Sequence, residues 1–111
     1  MEARSLGNVS VTFEFSRLVG PRYIHGGVSL QFDSLRPYSF ESRAKWPTTD
    51  QYEAHIRREV ERVLLERLGS LDNCQVTLKG ITWDAVYSCA VGFSHAARAA
   101  TLMAFEVGRG L

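Results

Sequence analysis

Between Val9 and Phe15 apolar and polar residues alternate without a break, Val9, Val11, Phe13 and Phe15 against Ser10, Thr12 and Glu14. A period of two sends the two sets to opposite faces of an extended chain, so the stretch predicts a strand with one face in a core and the other in water. The alternation returns with Val28, Leu30 and Phe32 opposite Ser29, Gln31 and Asp33. Two such strands close in sequence predict an antiparallel hairpin. The breakers between them, Gly20, Pro21, Gly26 and Gly27, predict a long tip loop over Leu18 to Gly27. A turn at Ser34 to Pro37 leads into a third strand, with Tyr38, Phe40 and Ser42 facing one way and Ser39, Glu41 and Arg43 the other.

Past Trp46 the period changes. Thr48, Thr49 and Asp50 are residue types whose side chains accept the first free amides of a helix, and they predict a helix start. Tyr52, Ile56, Val60, Val63, Leu64 and Leu68 then recur at helical spacing, while Glu53, Arg57, Glu61, Arg62 and Glu66 mark the solvated face. Gly69 is a natural stop. Cys74, Val76 and Leu78 predict a fourth strand, with a bulge at Gly80 that turns Ile81 and Trp83 to the core. Val86 to Gly92 predicts a second loop. Ser94 is the expected cap of a final helix whose Ala96, Ala97, Ala100, Met103, Ala104 and Val107 form a small-residue face suited to close approach onto a sheet. The order β-β-β-α-β-α predicts an α+β fold, a four-stranded sheet with two helices on one face and an open face of Ser, Thr, Gln, Glu and Arg.

At 111 residues and 45% hydrophobic content the chain has material for one core, which predicts a single domain over residues 1–111. Thirteen basic residues against twelve acidic ones give no overall cationic field, so any nucleic-acid contact must be local. Two cysteines do not make a disulfide framework, no charged-then-apolar leader opens the sequence, and nothing approaches 18 consecutive apolar residues. A cytoplasmic protein with no membrane span is expected.

The chemistry-bearing residues point away from catalysis. His25, His55 and His95 are scattered singly, without a His or Cys at ligand spacing, so no metal site is expected. The glycines from Gly20 to Gly27 lack the Lys-Ser or Lys-Thr step and the following helix of a phosphate-cradling loop, and no nucleotide or other cofactor is expected. Glu59 and Glu61 lie on a solvated helix face without the burial that tunes a general acid or base. Cys74 reads as a small buried hydrophobe, and Cys89, ahead of a helix, has no assignable acid–base partner. One constellation remains. Arg22, Tyr23 and His25 crowd the first loop, and Tyr87, Ser88 and Cys89 the second, a mixture of guanidinium, aromatic and hydroxyl groups suited to phosphate contact and base stacking. The alternative is that Tyr23 and Tyr87 pin their loops against the sheet ends.

In order, these segments resemble domain IV of elongation factor G and related translational GTPases, including the ribosomal-protection proteins. Gly20-Pro21-Arg22-Tyr23-Ile24-His25-Gly26-Gly27-Val28-Ser29-Leu30 is similar to that family's tip loop and V-x-L strand, and Tyr38-Ser39-Phe40-Glu41 to its Y-x-F strand. Gln51-Tyr52 resembles the E-Y that opens its long helix, and Tyr87 to Phe105 resembles its loop tyrosine and closing helix. The similarity spans about residues 9–107 and is carried by the order and spacing of the motifs. It implies the ribosomal protein S5 domain 2-like sandwich, with a left-handed β-α-β crossover. It further implies two tip loops, Leu18 to Gly27 and Val86 to Phe93, that contact RNA in the decoding site of the small ribosomal subunit. The sequence departs from the family at Ser88, Val91 and Lys45-Trp46, where the family has histidine, aspartate and a glycine pair. The leading expectation is a non-catalytic, translation-factor-like module that binds the ribosome or another structured RNA through Arg22, Tyr23, His25, Tyr87 and Ser88. The alternative is a protein-interaction domain that retained the scaffold, and a small enzyme is the third class.

Overall fold

The computed structural model describes residues 7–47 and 51–109. Its elements are β1 (Asn8–Val19), β2 (Arg22–Asp33), β3 (Ser39–Ser42), α1 (Glu53–Leu68), β4 (Gln75–Thr82) and α2 (Ala90–Arg109). They form an α+β fold in which one four-stranded mixed sheet, ordered β1-β2-β4-β3, packs with two helices. β2 runs antiparallel to both β1 and β4, and β3 runs parallel to β4.

The hairpin departs from the expected long loop. β1 and β2 pair without interruption from Asn8 opposite Asp33 to Val19 opposite Arg22, so the connection is only Gly20-Pro21. Gly20 has φ of 63°. A glycine at positive φ followed by a proline with φ fixed near −65° is the type II′ pattern, whose twist matches the flanking strands. Gly26 and Gly27 are strand residues chosen for closeness. A methyl carbon added at Gly27 would lie 2.6 Å from Thr82 Cβ, and one at Gly26 would collide with the backbone of Gly92 and Phe93. The spacing of glycines signalled contact with neighbouring chain, and not a break in the strand. A 12-residue strand spans about 40 Å, most of the 48 Å longest dimension of the molecule.

The bulge expected at Gly80 is present. Ser29 pairs with Gly80 and Leu30 with Leu78, which leaves Lys79 as the extra residue, and Ile81 and Trp83 pack against the core. α1 buries Ile56, Val60, Val63 and Leu64 from the expected stripe and ends at Gly69, whose φ of 82° lets its N–H return to the Leu65 carbonyl. Its N-cap is Tyr52, which makes no side-chain cap bond; Thr48 to Asp50, the expected caps, lie outside the described residues. α2 starts at Ala90, four residues before the expected cap Ser94, which is an interior helix residue. Ala96, Ala97, Ala100 and Ala104 are buried as expected, Met103 is half-buried, and Val107 is exposed, with Phe105 closing the buried series. Of the expected core, Phe32, Ile56, Leu64 and Val76 are fully buried, while Phe13 and Phe40 are partly so.

The opposite sheet face is polar. Asn8 accepts a bond from Gln31 and Thr12 bonds Ser29 across β1 and β2, each at 3.1 Å. Near the β3 edge Gln31, Glu41, Arg43, Gln75 and Thr77 line a shallow depression of about 270 Å³. Tyr38, just before β3, is tied to α1 by donating its hydroxyl to Glu61, which also accepts from Arg57 Nε at 2.8 Å. Burial and the adjoining Glu61 push the Tyr38 phenol up to about 12. Burial would raise Glu61, but the bonds from Arg57 and Tyr38 outweigh it and hold the carboxyl below its ordinary range.

Candidate functional site

β4 ends at Thr82 opposite Gly27, so the outer part of β2, from Arg22 to Gly26, extends past its β4 neighbour. The segment after β4 folds back to occupy that edge. The His25 N–H donates to the Tyr87 carbonyl at 3.1 Å, the Cys89 N–H donates to the His25 carbonyl at 3.2 Å, and His25 and Ser88 form a single parallel bridge. Two glycines make the approach achievable. Gly92, in the first turn of α2, faces Gly26, and a methyl carbon on Gly92 would overlap the His25 carbonyl. Behind this contact Phe93 is fully buried among the rings of Trp46, Tyr52 and Trp83, with centroid distances of 5.1, 5.5 and 5.9 Å, so the start of α2 is anchored from both sides.

Asp84 shapes the segment from within. Its Oδ1 accepts the N–H groups of Val86 and Tyr87 at 2.9 and 3.0 Å, and its carbonyl accepts the Ser88 N–H at 3.0 Å. The two backbone donors hold its carboxyl below the ordinary aspartate range. This turn raises Tyr87 onto Tyr23, with the ring centroids 4.8 Å apart at 42°. Both rings are about half exposed, and the Tyr23 hydroxyl bonds Ser16. Leu18, the cross-strand partner of Tyr23, and Val86, beside Tyr87, are 65% and 77% exposed, so the tip carries an aliphatic rim around its two rings. Arg22 stands exposed at the turn with no ion pair among the described residues, and the Arg17 guanidinium lies 5.6 Å over the Phe15 ring.

His25 differs from the rest of the expected set. It is buried, Nε2 donates to Glu14 at 2.5 Å, and Nδ1 meets the Ser88 hydroxyl at 2.8 Å. Ser88 Oγ also accepts the Asp84 N–H at 2.8 Å. Nε2 faces the Glu14 carboxylate, which can only accept, and Nδ1 shares a hydrogen bond with the Ser88 hydroxyl. A hydroxyl, imidazole and carboxylate in series is the order found around activated nucleophiles. Here the same atoms also link two chain segments, with main-chain bonds to either side.

The expected residues thus divide. Arg22, Tyr23 and Tyr87 face solvent at the tip, Ser88 is half-buried, and His25 lies beneath them. Sequence reasoning missed Glu14, Asp84, Gly92, Leu18 and Val86. Extending the β1–β2 register through the supposed loop would have set Ser16 opposite His25 and put Glu14 on the same face one step away. Among the described residues no group of three His, Cys, Asp or Glu side chains is placed to hold a metal ion, and no helix is long and apolar enough to cross a membrane. Burial, and secondarily Asp33, push the Cys74 thiol up to about 11, so it behaves as a packing group.

The arrangement defines an α+β domain with a projecting, aromatic-tipped hairpin. No protein-family model and no curated protein matches the sequence. The fold does match solved structures, among them the crystal structure of a protein from Thermus thermophilus, with a TM-score of 0.74 at 16% identity. That match covers 86% of this chain but only 15% of the other, so this chain spans a small part of that protein's length.

Proposed function

We propose that the chain is a non-catalytic module of the elongation factor G domain IV type, with the ribosomal protein S5 domain 2-like topology, that binds ribosomal or other structured RNA through its hairpin tip. The observation that carries this reading is the contact between Tyr23 and Tyr87. Two sequence segments more than sixty residues apart converge to present two half-exposed rings beside the exposed Arg22. Rings so placed offer stacking surface to an unpaired base, and a guanidinium at the turn offers a phosphate contact. The helix arginines offer less. Arg57, Arg62 and Arg98 are matched to Glu61, Glu59 and Glu66.

Co-sedimentation with ribosomes across a salt series tests the reading. Binding should weaken as salt rises, and Arg22→Ala should lower the salt slope by about one unit. Tyr87→Ala should cost about 1–3 kcal/mol if a base stacks on the ring, while Arg57→Ala with Arg62→Ala should leave binding nearly unchanged. A helix pair that matters more than the tip pair defeats the proposal.

A second reading is favoured by the aliphatic rim. Leu18 and Val86 are among the most exposed large apolar side chains described, and a protein partner would bury them more readily than a nucleic acid. Leu18→Ser separates the two, since it should spare RNA binding and weaken a protein contact.

A further inference from the structure

We infer that His25 is the positioning residue of the tip, a buried rivet that acts through Ser88 to keep Tyr87 against Tyr23 and so assembles the two-ring surface before any ligand arrives. The inference deepens the RNA reading and rests on it only for the use to which the surface is put.

The geometry is specific. The 84–88 turn is organised internally by Asp84, but the hydrogen bonds that join it and Cys89 to the hairpin among the described residues converge on one residue, His25. That residue uses its N–H toward Tyr87, its carbonyl toward Cys89 and its ring toward Ser88. The side-chain bond fixes what the two main-chain bonds leave free. A parallel bridge of one residue can pivot about its two hydrogen bonds, whereas a third attachment from the ring to Oγ sets the angle at which the preceding residue, Tyr87, leaves the strand. Glu14 completes the device by accepting from Nε2, which orients the imidazole so that Nδ1 points at Ser88. With both ring nitrogens engaged and the side chain 7% exposed, His25 is not itself available to RNA. Tyr23 leaves the same strand two residues earlier and on the same face, so one histidine sets the spacing of both rings. Preorganisation of this kind raises affinity by removing the ordering cost at the moment of binding.

The test compares His25→Ala, Ser88→Ala, the double variant and Ser88→Thr. It reads amide exchange over residues 84–89 and the nuclear Overhauser contacts between the rings of Tyr23 and Tyr87. Either alanine variant should speed exchange in the segment by about tenfold or more and remove the ring contacts, while exchange at Phe32 and Val76 stays unchanged. Because the two residues share one bond, the double variant should lose less than the sum of the single losses, although Ser88→Ala also releases the Asp84 N–H and His25→Ala the Glu14 carboxylate, and Ser88→Thr should restore the ring contacts. Additive losses, a threonine variant as loose as alanine, or ring contacts that survive in both alanine variants would each overturn the inference. If His25→Ala does not fold, His25→Phe takes its place, because Ser88→Ala also removes the bond from the Asp84 N–H and ring contacts that survive in His25→Phe would overturn the inference. Binding of a fluorescein-labelled oligouridylate separates the two ideas. A wild-type protein that ignores it, with ring contacts still lost in Ser88→Ala, defeats the use of the surface for stacking and leaves the rivet standing.

Discussion

The two halves of β2 are held in place by different physics. From Val28 to Phe32 the strand is flanked by β1 and β4 and covered by the helices, and its inward residues Val28, Leu30 and Phe32 are essentially without exposure. From Arg22 to Gly26, beyond the end of β4, the same strand leans on β1 and on a single bridge to the 87–89 segment. What fixes it is a pair of facing glycines and a chain of hydrogen bonds. Burial is non-directional and additive over area, so the inner half tolerates change in proportion to the volume lost. Contacts at the outer half are directional, and each is either made or not. An element that must present a surface in one orientation is better served by the second kind, because area alone does not set an angle.

The largest effect should come from the inner half. Phe32→Ala removes a fully buried ring from the centre of the sheet and should cost about 3–5 kcal/mol in denaturant-induced unfolding. The tip contacts should weaken only in step with global unfolding. A loss under about 1 kcal/mol would mean that the inner half relaxes around cavities and that the contrast is false.

Gly92→Ala should come next. The added methyl carbon overlaps the His25 carbonyl, and the neighbour that would have to move is backbone on both sides, so the strain cannot be relieved by a rotamer change. Overpacking of this kind costs about 1–3 kcal/mol. Its signature should be local, with faster exchange at His25, Tyr87 and Cys89 and separation of the two rings before the core is touched. Uniform loosening of the whole sheet would show that the two halves unfold as one unit.

This division also explains what could be read from the sequence. Element order, the α1 stripe and the alanine face of α2 follow from periodicities of two and 3.6, which report which side of a chain is buried, and the Gly69 stop and Gly80 bulge from glycines that interrupt those patterns. The same logic failed at Gly26 and Gly27, because a glycine that admits a neighbouring backbone looks in sequence like a glycine that turns the chain. The start of α2 was missed for a related reason. Ser94 resembles a cap, yet the helix begins where Gly92 can reach Gly26, and that requirement lies in another segment. At the tip, residue types nominated Arg22, Tyr23, His25, Tyr87 and Ser88. Composition could not say which of them face solvent and which are structural, since that depends on Glu14 and Asp84, partners supplied by the fold.

The smallest effect should come from a directional bond placed at the opposite end of the sheet, where burial already does most of the holding. The Tyr38 hydroxyl donates to Glu61, and Tyr38→Phe removes that bond while leaving Glu61 its bond from Arg57. The expected cost is about 1 kcal/mol, the net worth of one hydrogen bond. The pH dependence carries a definite sign. The phenol is raised from 10.0 to about 12 in the folded protein, chiefly by burial, so the folded state holds its proton more tightly than the unfolded chain does. The contribution is therefore complete below pH 10.0, declines as the unfolded phenol begins to ionise, and is gone once pH passes about 12. Wild-type and Tyr38→Phe unfolding curves, measured at neutral pH and in that alkaline window, should converge as pH rises, with the Tyr23–Tyr87 contact unaffected at neutral pH. A tip that loosens in Tyr38→Phe at neutral pH would show that the two ends communicate through the sheet and would replace the contrast between them with a single cooperative device.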